Sequence, residues 1–453
     1  MIRYIFTLLI ISSALLHSQT GRDPRAVGLA GAYTTVSRNY QAVGWNPANL
    51  YWNDDARIKV NLGALRFRLS NSAFSLSDLN RYNDADLEEI NPYTNRPIKD
   101  EFLELFGEKG WNFYSGISFL TPLVSISRDN QAYTADMQFI SSATLPRAFV
   151  DILFNENQVN INYDLTLQLE MIGLIKHSFA MALPVDAGAF GLSINYLQGI
   201  YYLGMDPDSS RTFFRTDTAT VSAAGEYLFR QTYGGNGVGL DIGFSSKPVG
   251  GWQFSIALNN LFSNIEWNKP TYTYHNIIRG AGFDVKRAEY TKYWYRIDDL
   301  GPETLIPIAS DTTKRTTNDI FIRGKVEILP ESSPFKVKYP TLFRAGLSKK
   351  LNEEVTFIAD ISTGFEDRFF AKANWLFATA VEIVRSPRFP VRVGIAYGGP
   401  DYRQMSFGFG LHWGIFAFDY GMAFHDGFKM NTAKGIEVAL GLQLKLSRIR
   451  KEI

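Results

Sequence analysis

Strict two-residue alternation runs through the last third of this chain and constrains its fold more than any other feature. One register reads Val391, Val393, Ile395, Tyr397; the next Met405, Phe407, Phe409, Leu411, Trp413; then Phe416, Phe418, Tyr420, Met422, Phe424; then Ile436, Val438, Leu440, Leu442, Leu444, Leu446. Between them lie Arg392, Gly394, Gln404, Ser406, Gly408, Gly410, Asp419, Gly421, Glu437, Gly441, Gln443 and Lys445. Successive residues of a strand point to opposite faces, so each segment is a strand with one apolar, aromatic-rich face and one small or polar face. Val159 to Met171 alternates in the same way and reads as another strand.

A soluble sandwich would pack the apolar faces together and cover the others with Lys and Glu. Here the polar face mixes Gly, Ser and Gln with scattered charges, and the chain holds 34 Phe, 23 Tyr and 8 Trp. Lipid accepts aromatic and aliphatic groups on the outside of a closed sheet, and its lumen takes small and polar ones. Closure also satisfies every backbone N–H and C=O in lipid without helices. The expected fold is all-β, a transmembrane antiparallel barrel of about fourteen strands, with the lipid bilayer as its surroundings.

Residues 1–18 read as a cleaved secretory signal: Arg3 at the start, an apolar core from Tyr4 to Leu16, and Ser18 before the cut. No later apolar run reaches the roughly 20 residues of a spanning helix. With no cysteine the chain is neither a lipoprotein nor a disulfide scaffold, and a net charge of +1 gives no reason to expect nucleic acid. Residues 19–56 then form a segment of their own and 57–453 the barrel, opening with the strand Arg57 to Leu69. "GGPDYR", "KKLNEE" and the break at Gly414 read as tight turns; Glu266 to Asn276 and Arg296 to Asn318 read as long extracellular loops. Tyr233 to Gly243 reads as a hairpin turn, and Trp111, Trp252, Trp267, Trp375 and Trp413 as anchors at the membrane interface. Two insertions carry helical spacing: 97–109, with Pro97 in its first turn and Ile98, Phe102, Leu105 and Phe106 on one face, and 145–154, with Leu145, Phe149, Ile152 and Leu153. They are expected as short periplasmic helices or as plugs of the barrel.

The stretch Ala26 to Leu50 has no strong period. Gly28, Ala30, Gly31 and Ala32 permit close approach to a wall, and Asn46-Pro47 fixes a turn, so the segment suits a lumen where irregular backbone is tolerated. At Gly28, Ala30, Gly31, Ala32, Tyr33 and Thr34, then Asn46, Pro47, Ala48, Asn49 and Leu50, the sequence resembles the FadL superfamily of outer-membrane barrels, with Ala30 in place of one glycine. "LPRAFVDILF", "GLSINYLQGI", "FDYGMAFHDG" and "KGIEVALGLQLKL" resemble a family of uncharacterised exported barrels related to FadL and to PorV of the type nine secretion system. One departure is the ending "LSRIRKEI", which lacks the terminal aromatic common in outer-membrane barrels. The resemblance implies an outer-membrane location, a pore-blocking hatch built from Gly28, Gly31, Asn46, Pro47, Ala48, Asn49 and Leu50, and passage or binding of a hydrophobic small molecule. By the PorV likeness it implies instead a barrel that transports nothing and docks a periplasmic or surface protein.

No catalytic site, cofactor or metal is expected. The only histidines after the signal are His177, His275, His412 and His425, none at metal-ligand spacing, and the chain has no G-x-S-x-G or P-loop. Ser406, His412 and Asp419 share the wet face, but such sets arise by chance in a many-stranded wall. Asp360, Glu382, Asp419 and Glu437, facing Lys372 and Arg392, read as a lumenal charge network that keeps the wall polar or selects a solute.

Overall fold

The computed structural model describes residues 23–448 apart from short stretches at 53–55, 84, 122–123, 156–157, 206–209, 217–220 and 400–401 and longer ones at 268–288, 301–324 and 329–334. The signal segment, His275 and most of both long loops named above lie outside the described residues. The wall is a closed antiparallel barrel of 14 strands. In chain order these are β1 (Ala56–Asn71), β2 (Trp111–Leu120), β3 (Gln131–Leu145), β4 (Gln168–Val185), β5 (Gly188–Met205), β6 (Val221–Ser246), β7 (Trp252–Trp267), β8 (Leu342–Lys350), β9 (Val355–Gly364), β10 (Leu376–Ile383), β11 (Val391–Gly398), β12 (Arg403–Trp413), β13 (Phe416–His425) and β14 (Gly435–Arg448). β1 pairs with β2 on one side and with β14 on the other, from Ala56↔Arg448 to Ser70↔Gly435, and this closes the cylinder.

The hairpins define two ends. Lys350–Val355, Trp413–Phe416 and Val185–Gly188 turn tightly at one end, where β1 begins; the long connections leave from the other. Polarity across the wall is inverted relative to a water-soluble protein. Phe190, Ile194, Phe377, Val393, Phe407 and Leu440 are exposed on the outside, whereas Lys59, Arg66, Arg68, Lys176, Asp241, Arg392, Asp419 and Glu437 are buried inside. Only a hydrocarbon surround makes that arrangement stable, so the alternation reports a membrane-spanning wall.

Local readings changed where tertiary packing overrode them. Tyr233 to Gly243 is no hairpin: β6 runs straight through it, and Gly199 and Gly235 leave the space that the Trp267 ring fills. Val159 to Met171 is not one strand. Only Asn162–Asp164 and the start of β4 are extended, because Asn162–Asp164 pairs with a separate segment, Arg211–Thr216. Trp252, Trp375 and Trp413 are exposed as interface anchors should be, but Trp267 points inward and is fully buried, and Trp111 is covered.

What covers Trp111 is the helical material. Both helical segments exist, as α3 (Ile98–Glu104) and α4 (Arg147–Phe154), after α1 (Pro24–Gly28) and α2 (Leu76–Tyr82). Phe102, Phe106, Phe74, Tyr82 and Val150 form one cluster with Trp111, which also gathers Phe113 and Leu145. Trp111, Phe113 and Leu145 are outward-facing, so α3 and α4 sit on the outer side of the long-loop rim, neither in the lumen nor at the short-turn end. In α4 the buried residue is Val150, while Phe149 and Leu153 are exposed.

Candidate functional site

The lumen holds the residues that the barrel needs no strand for. From Asp23 to Trp52 the chain folds into α1 and two single-turn helices, Asn39–Ala42 and Pro47–Tyr51, nearly every residue buried. α1 starts because Pro24 presets its first turn and the Asp23 side chain accepts from Arg25 N–H at 2.9 Å. The second turn has the same logic: Asn46 Oδ1 accepts from Ala48 N–H at 3.1 Å and Pro47 follows it. Asn46 also donates through Nδ2 to the Phe244 carbonyl of β6 at 3.0 Å, which ties the turn to the wall.

The wall receives this segment on glycine. A side chain at Gly191 would strike Pro47 and Ala48, one at Gly243 would strike Asn46, one at Gly394 would strike Leu29 and Ala30, and one at Gly421 would strike Pro24. Gly28 meets Gly408 directly: a Cβ at Gly28 would lie 2.9 Å from the Gly408 Cα. Gly31 is different, since it has open space around it and is required by its φ of +82°. The small inward residues of β5, β6, β11, β12 and β13 are therefore a seat, not the lining of an open water channel.

Charge fastens the segment to that seat. The Arg25 guanidinium donates to Glu382 through Nε (2.9 Å) and Nη2 (2.6 Å); Arg392 donates to Glu382 at 2.8 Å and to Asp419 at 2.8 Å. Gln443 donates to the second Asp419 oxygen at 3.3 Å. Asp360 accepts two backbone N–H groups, from Tyr33 (2.8 Å) and Thr34 (2.7 Å). Asn49 donates to Thr34 O and Ser37 Oγ, holding the segment's two halves together. Leu50 is fully buried against Leu120, Ala132 and Ala180, and Trp45 lies edge-on to Tyr33 with the Arg344 guanidinium 4.2 Å from its ring.

Thus Glu382 and Asp360, both expected in the lumen, clamp the inserted segment directly, while Arg392 and Asp419 brace Glu382 from the wall. Glu437 belongs to a neighbouring group with Arg66 (2.6 Å) and His425 (2.9 Å). Lys372 pairs elsewhere, with Asp367. It lies in the connection after β9, half-exposed and 3.7 Å from Asp367, because the chain has already left the wall there. Ser406, His412 and Asp419 make no triad either: Ser406 accepts from Gln404, and His412, six strand residues further on and so ~20 Å away, lies 3.5 Å from Asp419. Arg25, Arg66, Arg344 and the Lys176–Asp241 pair (3.6 Å) were not singled out by pattern. For all but Arg25, which lies in α1, the one sequence signal is a charge at a lumenal position of an alternating strand, as in Arg66 and Arg68 of β1.

Burial pushes the Asp23 carboxyl above its ordinary range, with the Tyr33 hydroxyl and Arg25 pulling back and Asp419 adding to the rise. Burial likewise raises the Tyr33 phenol. Among the described residues no cluster of His, Asp and Glu is placed to hold a metal.

The sequence of residues 47–422 matches the model of a family of unknown function, DUF5723. The chain belongs to that family. No curated protein matches it. Among solved structures this DUF5723 barrel is similar to the toluene transporter TbuX of Ralstonia pickettii (11% identity, 94% of this chain and 98% of that one, TM-score 0.48). It is similar also to the P. putida toluene transporter TodX (11%, 93% and 96%, TM-score 0.45) and to a Pseudomonas aeruginosa FadL homologue (11%, 94% and 98%, TM-score 0.48).

Proposed function

We propose that the protein is a gated channel of the outer membrane, in which residues 23–52 are the movable hatch and the cargo is a small molecule with an apolar body. One observation carries this reading: ion pairs to Arg25, the backbone hydrogen bonds to Asp360 and glycine contacts fasten the hatch, and the wall meets its buried Leu29, Trp45 and Leu50 mostly with alanine. When such a joint parts its charges regain hydration, and the glycine and alanine wall gives up little interdigitation, so the joint can separate. A permanent plug would gain more from apolar packing in the same volume.

The long-loop end supports the cargo class. A cavity of about 620 Å³ opens there, where Tyr114, Tyr202, Met205 and Phe369 supply apolar contact and Arg68 and Arg230 supply charge. That lining suits an amphipathic molecule better than a pure hydrocarbon. The test is native mass spectrometry of the protein purified from outer membranes in mild detergent, beside the double variant Asn46→Ala, Pro47→Gly. A bound apolar or amphipathic molecule whose occupancy changes in the variant is the expected result; unchanged occupancy and uptake would sink the gate.

A second reading, a non-transporting barrel that docks a protein, draws on the outer rim, where α4 presents exposed Phe149 and Leu153. It predicts an empty barrel that copurifies with a stoichiometric partner.

A further inference from the structure

The loop between Gly364 and Lys372 leaves β9 at the long-loop end but does not extend into solvent. Gly364 N–H donates to the Lys372 carbonyl at 2.9 Å, and Arg368 and Ala371 exchange backbone hydrogen bonds at 3.1 and 2.9 Å, so the excursion is pinched at its neck and compact. It folds inward. Phe369 and Phe370 are only 4% and 1% exposed, packed in a lumenal cluster with Ile172, Leu197, Tyr202, Trp267 and Tyr339. The Phe370 and Tyr339 rings meet at 5.3 Å. Those partners come from β4, β5, β7 and the residues just before β8, so the two phenyl rings fill the lumen between β4 and β5 and the adjoining β7–β8 wall.

The loop is held there against its own backbone preference. Phe369 has a φ of 49°, a left-handed conformation that is an outlier for a bulky side chain. The restraint comes from Arg368, whose Nε lies 3.1 Å from both Glu170 oxygens and whose Nη2 also donates to Glu170; Glu170 in turn accepts the Tyr202 hydroxyl at 2.8 Å. Between this loop and the hatch remains a space of only about 60 Å³, bounded by Ala30, Gly31 and Trp45 below and by Phe370 and Ala371 above. Two closures therefore stand in series. Cargo crossing the lumen must remove the phenyl pair as well as the hatch, and the rings then vacate an apolar chamber lined by Ile172, Leu197, Trp267 and Tyr339.

We propose, building on the gated-channel reading, that this chamber is the cargo's binding site and that the loop is a stopper seated in it by the Arg368–Glu170 clamp. An apolar group of the incoming molecule takes the place of the Phe369 and Phe370 rings, and the strained loop swings out when the clamp lets go.

The chain has no cysteine, so a single reporter thiol is unambiguous. Ala371→Cys, a near-isosteric change at a buried position, is labelled with a membrane-impermeant maleimide and compared with Tyr402→Cys on a neighbouring exposed loop. Labelling of the Ala371→Cys thiol should be at least tenfold slower than that of the Tyr402→Cys thiol, and should rise about tenfold when Glu170→Gln or, as a second break, Arg368→Ala is added. Labelling at the control rate, or no response to either clamp variant, overturns the stopper. In planar bilayers, Arg25→Ala loosens the hatch and Glu170→Gln the stopper; the double variant should open at least tenfold more often than either single one. If Arg25→Ala alone conducts as well as the double variant, the loop closes nothing and the proposal fails. A protected thiol in Ala371→Cys with a silent double variant would instead remove the gated-channel reading beneath it.

Discussion

Ala30 carries a φ of 52°, in the left-handed region that favours glycine, at the position where the resemblance expects glycine. An L residue there is strained by roughly 1–2 kcal/mol, while glycine adds about 0.5–1 kcal/mol of unfolded-state entropy. Ala30→Gly should therefore firm the hatch by roughly 0.5–1 kcal/mol, seen as about twofold to fivefold slower hydrogen exchange of the residue 25–36 amides; faster exchange would show that the strain is relieved elsewhere. Neighbouring glycines divide in a way that the sequence does not display. Gly28 is needed because Gly408 touches it, Gly31 because of its backbone angle, and only the wall's coordinates tell them apart. Asn46 was legible for a simple reason: an Asx turn followed by proline is local chemistry, complete within three residues.

At the level of elements, the hatch depends on partners hundreds of residues away. Asp360 is 326 and 327 residues from the two N–H groups it accepts, and Arg25 is 357 residues from Glu382. Replacing Asp360 by leucine orphans both N–H groups in a dry site, at about 1–3 kcal/mol each, whereas Asp360→Asn keeps an acceptor oxygen. Hydrogen exchange at Tyr33 and Thr34 should accelerate strongly in Asp360→Leu and little in Asp360→Asn. Asp23 gives the joint a pH dependence. Its carboxyl is raised by burial above its ordinary 3.8, so its contribution to a seated hatch is fully present below that value and is lost as pH rises through the elevated one. Asp23→Asn, which keeps the N-cap acceptor, should flatten that segment of a hatch-protection profile and firm the seat at neutral pH; an unaltered profile would place the titration in another group. Strands were readable because their two faces differ at every second residue. The inward-folded loop after β9 was not: Phe369 and Phe370 are adjacent, follow no period, and gain their meaning only from partners distant in sequence.

The whole molecule is organised by one inversion, apolar groups outward and charge inward, and that inversion is what the alternation encoded. Its barrel closure and its filled lumen follow from it, because an open edge has no place in lipid and a wide lumen lined with glycine must be filled. The decisive perturbation is therefore positional. Ile194 is 57% exposed on the outer face of β5, flanked across the sheet by Phe179 and Leu240, while Trp413 is 81% exposed at the short-turn edge. In a bilayer, Ile194→Arg should lower refolding stability by about 2–4 kcal/mol and Trp413→Arg by about 0–1 kcal/mol, since the penalty for a guanidinium depends on depth. Titration of refolding into lipid vesicles measures both. Equal and small penalties would mean that β5 meets water, and the inward charges, the glycine seat and the two closures would then all need another cause.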